Sequence, residues 1–201
     1  IILALAFVAA DKSCNNYDRF NLSCNITENT TFLPGVYQLV NASIQVKAND
    51  AMVDCRGATI KGKSSFSTLS VNGKRGITVR NCTFTDGLNG VGVFGGFNGF
   101  TLTDSTFISM GKGLTLSSNN QSSLVVTGNN FSNSTIEISF LFNRFNETNI
   151  WDNSFSFRGV RYTQPIDPLL FCKDGVGNKY AFGAVGPGCT CLAPLDGLQI
   201  T

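Results

Sequence analysis

Asp104 and Asp152 are the two carboxylates of this sequence whose spacing could support acid–base chemistry. They hold the same place in a repeat described below, with Gly128 at that place in the copy between them. If each copy adds one strand to a stack, two steps of ~4.8 Å put the acids roughly 10 Å apart. That is near the upper limit for the carboxylate pair of an inverting glycosidase. Asn81 holds the same place in an earlier copy. Asn, Asp and Gly turn a chain at low cost, so turn residues are the simpler reading. Asp86 with Arg80 offers a second, weaker acid–base pair, for which a surface ion pair is the simpler reading. The other acids of the central region, Asp50, Asp54, Glu137 and Glu147, form no run of Asp suited to a Ca²⁺ cage. Trp151, Phe157 and Tyr162 could stack on sugar rings, although exposed aromatics are common without such a role. No helical pattern follows Gly92, Gly95, Gly96 and Gly99, so they read as turn glycines and not as a phosphate cradle. No catalytic residue, metal site or cofactor is assigned.

The chain contains no histidine. That removes imidazole general bases, Ser/His and Cys/His nucleophile pairs and histidine metal ligands. The formal net charge is +2 and there is no long basic run, so nucleic-acid binding has no electrostatic support. Lys61, Lys63, Lys74 and Arg75 read as solvated loops. Disorder is also excluded: 42% hydrophobic residues, including 17 Phe, give ample surface to bury. The 201 residues suit one domain.

Nine Asn-x-Ser/Thr sequons occur, at Asn21, Asn25, Asn29, Asn41, Asn81, Asn120, Asn130, Asn133 and Asn146. Turns favour the same residue types, but this density argues for passage through a glycosylating secretory route and for N-linked glycans. The seven cysteines, Cys14, Cys24, Cys55, Cys82, Cys172, Cys189 and Cys191, suit an oxidising compartment. Zinc is the rival reading, but Cys172 with Cys189-x-Cys191 lacks the paired spacing of a zinc ribbon. We expect Cys14 to pair with Cys24, two of Cys172, Cys189 and Cys191 to pair with each other, and Cys55 to bond to Cys82. Seven is odd, which leaves one thiol free or bonded to another chain.

Residues 1–10 are wholly apolar. Ten residues suit the h-region of a signal peptide, with Val8-x-Ala10 as a cleavage site. They are too few to span a bilayer, and no other segment resembles a membrane span. If retained, the segment must be buried, as an end cap or as a connector inserted into a neighbouring subunit. Both readings stand.

The elements that position these residues are set by an internal repeat of about 24 residues. Val53-Asp-Cys-Arg-Gly-Ala-Thr-Ile60, Ile77-Thr-Val-Arg-Asn-Cys-Thr-Phe84, Phe100-Thr-Leu-Thr-Asp-Ser-Thr-Phe107, Leu124-Val-Val-Thr-Gly-Asn-Asn-Phe131 and Thr148-Asn-Ile-Trp-Asp-Asn-Ser-Phe155 align. Their last residues, Ile60, Phe84, Phe107, Phe131 and Phe155, are spaced 24, 23, 24 and 24. A second column follows: Leu69/Val71, Val91/Val93, Leu114/Leu116, Ile136/Ile138 and Val160/Tyr162, with Ile44/Val46 as an earlier member. Apolar residues alternate with Thr, Ser, Arg or Gly, which is the period of a strand. Copies this short cannot bury a core alone but can stack as parallel rungs. The repeat then predicts an aromatic core column through Phe84, Phe107, Phe131 and Phe155. It also predicts an inward column of Cys82, Ser105, Asn129 and Asn153, hydrogen-bonded from rung to rung.

These rungs, with Val53-Asp-Cys-Arg-Gly-Ala-Thr-Ile-Lys-Gly62, make the chain resemble the pectin-lyase-like, right-handed parallel β-helix superfamily over residues 36–162. The resemblance implies an all-β solenoid of about five to six rungs with disulfide-pinned terminal caps at 11–35 and 163–201. Enzymes of that superfamily usually act on acidic polysaccharides, using Asp clusters with an Arg or Lys base, or Asp with a Gly-His-Gly element. The second is impossible here.

Two functions from different classes follow. One is an extracellular structural protein, a homopolymer or homo-oligomer, since a short β-helix has two open ends that must be capped or paired. The other is a polysaccharide-active enzyme (lyase, hydrolase or epimerase) or a carbohydrate-binding module, by analogy of fold.

Overall fold

The computed structural model describes residues 24–39, 43–62, 66–117, 121–141, 148–156, 160–162 and 179–180. Residues 1–10, Cys14, Cys172, Cys189, Cys191 and the sequons at Asn21, Asn41, Asn120 and Asn146 lie outside these, so the expectations placed on them do too.

The chain winds through successive triplets of short strands. The first turn is β1 (Cys24–Ile26), β2 (Thr30–Thr31) and β3 (Val36–Leu39); the second is β4 (Ile44–Val46), β5 (Met52–Asp54) and β6 (Thr59–Gly62). The third is β7 (Ser67–Asn72), β8 (Ile77–Arg80) and β9 (Thr83–Thr85); the fourth is β10 (Asn89–Phe94), β11 (Phe97–Thr103) and β12 (Thr106–Ile108). The fifth is β13 (Lys112–Ser117), β14 (Gln121–Thr127) and β15 (Asn130–Ser132); the sixth is β16 (Ile136–Leu141), β17 (Thr148–Trp151) and β18 (Ser154–Phe155). Then come β19 (Val160–Tyr162) and β20 (Lys179–Tyr180).

Each strand pairs in parallel with its equivalent one turn away, which gives three sheets. Sheet A runs β1-β4-β7-β10-β13-β16-β19, sheet B runs β2-β5-β8-β11-β14-β17, and sheet C runs β3-β6-β9-β12-β15-β18-β20. The expected parallel β-helix is therefore the fold. Strands on either side of the 36–162 span also belong to it: β1 and β2 pair with β4 and β5, and β20 pairs with β18.

The alternation seen in the sequence is the alternation of burial. Along β8, Ile77 and Val79 are buried while Thr78 and Arg80 are half-exposed. In sheet C, Ile60, Phe84, Phe107, Phe131 and Phe155 are in register. The four rings stack with centroids 5.1, 4.7 and 5.2 Å apart and interplanar angles of 19°, 8° and 7°. These distances follow the spacing between paired strands, so one residue type at one place in every turn makes a continuous stack. Each such ring contributes about 1.5–3 kcal/mol by burial. Gly90 makes room for the stack: a Cβ there would lie 2.6 Å from the Gly113 carbonyl oxygen and 2.7 Å from a Phe107 ring carbon.

Two features of the repeat differ from the alignment. In sheet A, Leu114 and Leu116 pair with Ile138 and Phe140, not with Ile136 and Ile138. The observed pairing keeps a spacing of 24 residues, as in sheet C, where the alignment had 22. In sheet B, Val53 pairs with Val79, not with Ile77. The corner after β5 is longer than those after it: Ala58 N–H donates to Cys55 O, and Ala58 O then accepts from Thr83 N–H. Ala58 thus takes the carbonyl role that Cys82 and Ser105 take one and two turns later, toward Thr106 and Asn130.

Candidate functional site

The corner between sheets B and C gathers most of the reactive residue types of the described chain. Its first feature is a repeated left-handed residue: Arg56 (φ 47°), Asn81 (φ 54°), Asp104 (φ 51°), Gly128 (φ 67°) and Asp152 (φ 53°). Asn, Asp and Gly tolerate this conformation best. Asp104 and Asp152 are exposed and two turns apart, and a Cβ on Gly128 would lie 2.7 Å from Asp104 Oδ1. Both acids serve the corner as turn residues, as their shared place with Asn81 suggests.

The second feature is a buried carboxylate. Asp54, 7% exposed, ends β5 and lies opposite Arg80 in the next turn. Its Oδ2 accepts from Arg80 Nε at 3.0 Å and Nη2 at 2.8 Å. Its Oδ1 accepts from Arg56 N–H at 3.0 Å and from Asn81 Nδ2 at 3.1 Å. Burial pushes its pKa up, but the hydrogen bonds from Asn81, Arg56 N–H and Arg80, with the charge of Arg80, outweigh that and hold it below the ordinary value. Arg80 thus pairs with Asp54 and not with Asp86, which is exposed and accepts from Thr85 Oγ1 at 3.0 Å. The two-residue shift of β5 against β8 brings Asp54 to Arg80, whereas Asp86 lies beyond β9 on another face.

The third feature is a covalent and hydrogen-bonded ladder. Cys55 and Cys82 form a disulfide with Cα atoms 4.8 Å apart. The two-residue shift of β5 brings Cys55 level with Asn81, one residue from Cys82, and so reduces their offset in the repeat. Cys82 N–H then donates to Ser105 Oγ at 3.2 Å, Ser105 N–H to Asn129 Oδ1 at 3.0 Å, and Asn129 N–H to Asn153 Oδ1 at 3.0 Å. Asn153 Nδ2 returns bonds to the carbonyls of Val126 and Trp151, both at 2.9 Å. Ser105, Asn129 and Asn153 are 1%, 2% and 0% exposed, so the ladder satisfies polar groups that burial would otherwise penalise. It is the inward polar column expected from the repeat.

The remaining candidates are dispersed. Cys24 is disulfide-bonded. Asp50 meets Arg75 at 3.7 Å, with both side chains largely exposed. Asn25, Asn29, Asn130 and Asn133 are exposed, and Asn29 Oδ1 accepts from Met52 N–H at 2.8 Å. Trp151 is half-buried in sheet B, in register with Thr127 and, beyond it, Thr103. Phe157 and the side chain of Tyr162 lie outside the described residues, as does Glu147. Among the described residues, no three His, Cys, Asp or Glu side chains come together as a metal site, and no helix is long and apolar enough to cross a membrane.

No protein-family model, curated protein or solved structure matches the chain.

Proposed function

We propose that this chain is an extracellular, N-glycosylated structural protein of the right-handed, pectin-lyase-like β-helix type that assembles end to end. One observation carries the reading: the described strands stack as equivalent parallel turns, so a turn of one copy has the form to continue the coil of another. The outermost described strands are β1, β2 and β3 at one end and β19, β17 and β20 at the other. In the first turn, Leu33 and Val36 are 67% and 58% exposed, an apolar surface that a second copy would cover. Contact of unlike ends is heterologous and generates a filament when it does not close into a ring. Glycans on Asn25, Asn130 and Asn133 would keep the sides soluble. Residues 1–10, where retained, would act as the connector between subunits. The Cys55–Cys82 disulfide and the sequons support a secreted location. Negative-stain imaging of the purified secreted protein tests this. Fibres or end-to-end oligomers are expected, and monomers at every concentration would end the structural reading.

A carbohydrate-binding role is the second reading. Trp151 closes the outward row of Thr103 and Thr127 on sheet B, which would offer a sugar an aromatic face and a line of hydroxyls. Trp151→Ala should then abolish retention on an extracellular polysaccharide column; retention unchanged by the substitution removes this reading.

A further inference from the structure

The fold treats one sequon unlike the other four it describes. Asn25, Asn29, Asn130 and Asn133 are exposed, whereas Asn81 is half-buried. Asn81 has φ 54°, its Nδ2 donates to the buried Asp54 Oδ1 at 3.1 Å, its N–H donates to Thr103 O at 3.3 Å, and its carbonyl accepts from Gly57 N–H at 2.8 Å. The middle residue of the sequon, Cys82, is 1% exposed and bonded to Cys55. The third, Thr83, sits in β9 between Thr59 and Thr106. Asn133 also donates through its carboxamide, to Ser109 Oγ at 3.3 Å, but there both partners and Thr135 are exposed.

A sequon is modified as an accessible surface segment. Transfer joins Nδ2 to the anomeric carbon of a lipid-pyrophosphate-linked oligosaccharide, with loss of one Nδ2 proton and departure of the lipid pyrophosphate. That requires the carboxamide and the Thr83 hydroxyl to be presented together on a free chain. Closure of Cys55–Cys82, in which two thiols are oxidised and a disulfide donor is reduced, fixes the same three residues in the corner. We propose that these two modifications exclude each other: once Cys55 and Cys82 are joined, Asn81 stays bare, and its carboxamide serves Asp54 instead. The inference rests on the secretory reading above.

The test is site-resolved glycopeptide mass spectrometry, with non-reducing peptide mapping, on total cell-associated and secreted full-length chain from a glycosylating host. Analysing the cell-associated chain keeps the measurement valid for variants that fold poorly. Wild-type occupancy at Asn81 should be at least tenfold below that at Asn130. Cys55→Ser should raise it several-fold while leaving Asn25 and Asn130 unchanged. On denaturing gels Asn130→Gln should gain mobility by one glycan, whereas Asn81→Gln should migrate as wild type. Glycosylated Asn81 in chains with Cys55–Cys82 closed would overturn the proposal, as would unchanged Asn81 occupancy in Cys55→Ser. Bare asparagine at every sequon would instead overturn the secretory reading, and this inference with it.

Discussion

The side-chain oxygen of Asn153 accepts two hydrogen bonds from Asn129, one from its backbone N–H and one from its carboxamide, each at 3.0 Å. Asn153 is fully buried. Removing its carboxamide leaves Asn129 N–H, Val126 O and Trp151 O without that partner, and each buried unsatisfied group costs about 1–3 kcal/mol. Asn153→Ala should therefore destabilise the domain by at least about 3 kcal/mol. Asn153→Ser should cost less, since a hydroxyl serves this ladder at Ser105. Urea unfolding of both variants checks the order; equal losses would show that the bonds to Asn129 contribute little.

Phe107 is packed on both faces, by Phe84 and by Phe131. Phe107→Ala should cost roughly 3–5 kcal/mol. Phe107→Leu should recover part of that by filling the space. Thermal and urea denaturation measure both, and a loss below about 1 kcal/mol for the alanine variant would contradict two-sided packing.

Asp54 links stability to acid. Its folded pKa lies below the ordinary aspartate value of about 3.9. A depressed carboxylate contributes stability above its unfolded pKa and loses it as pH falls from there through the folded value. The difference in unfolding free energy between wild type and Asp54→Asn should thus be largest near neutrality. It should shrink steadily as pH falls below about 4. A difference independent of pH over that range would mean that Asp54 is not held ionised by Arg80 and Asn81.

The Cys55–Cys82 bond closes a sequence separation of 27 residues. Chain-entropy reasoning gives roughly 3–4 kcal/mol for a loop of that length. The double variant Cys55→Ala with Cys82→Ala should lose about that much in equilibrium unfolding. Ser105, Asn129 and Asn153 should remain paired, as seen by slow exchange of their amides. Rapid exchange at all three would show that the ladder depends on the disulfide.

Much of this was legible because the coil is periodic. A residue type that recurs at one place, such as Phe84, Phe107 and Phe131, declares both its column and its inward direction. Asn129 and Asn153 were legible for the same reason. What escaped were the places where the period slips. The added corner residues up to Ala58 shifted β5, so Asp54 aligned with Thr78 on paper but meets Arg80 in space. The first strand escaped because Ile26 lies only 20 residues before its partner Val46, short of the period. Tyr180 follows Phe155 by 25 residues, close to the period, but Lys179-Tyr180 lacks the Thr-Phe, Asn-Phe or Ser-Phe ending of the rungs before it and so escaped.

Each described strand pairs only with strands of the turns beside it, so among the described residues no single strand pairing holds the whole coil. Its stability is a chain of nearest-neighbour terms. Opening then advances as a front from either end, and protection against amide exchange should rise from the outer turns toward the middle. The bond between Cys55 and Cys82 pins the second turn to the third. Among the described residues, a front entering through β1 meets this bond early, while one entering through β20 crosses many stacked rings and hydrogen bonds before it. Within the described turns, opening can therefore run further from the β20 side than from the β1 side before it meets that bond.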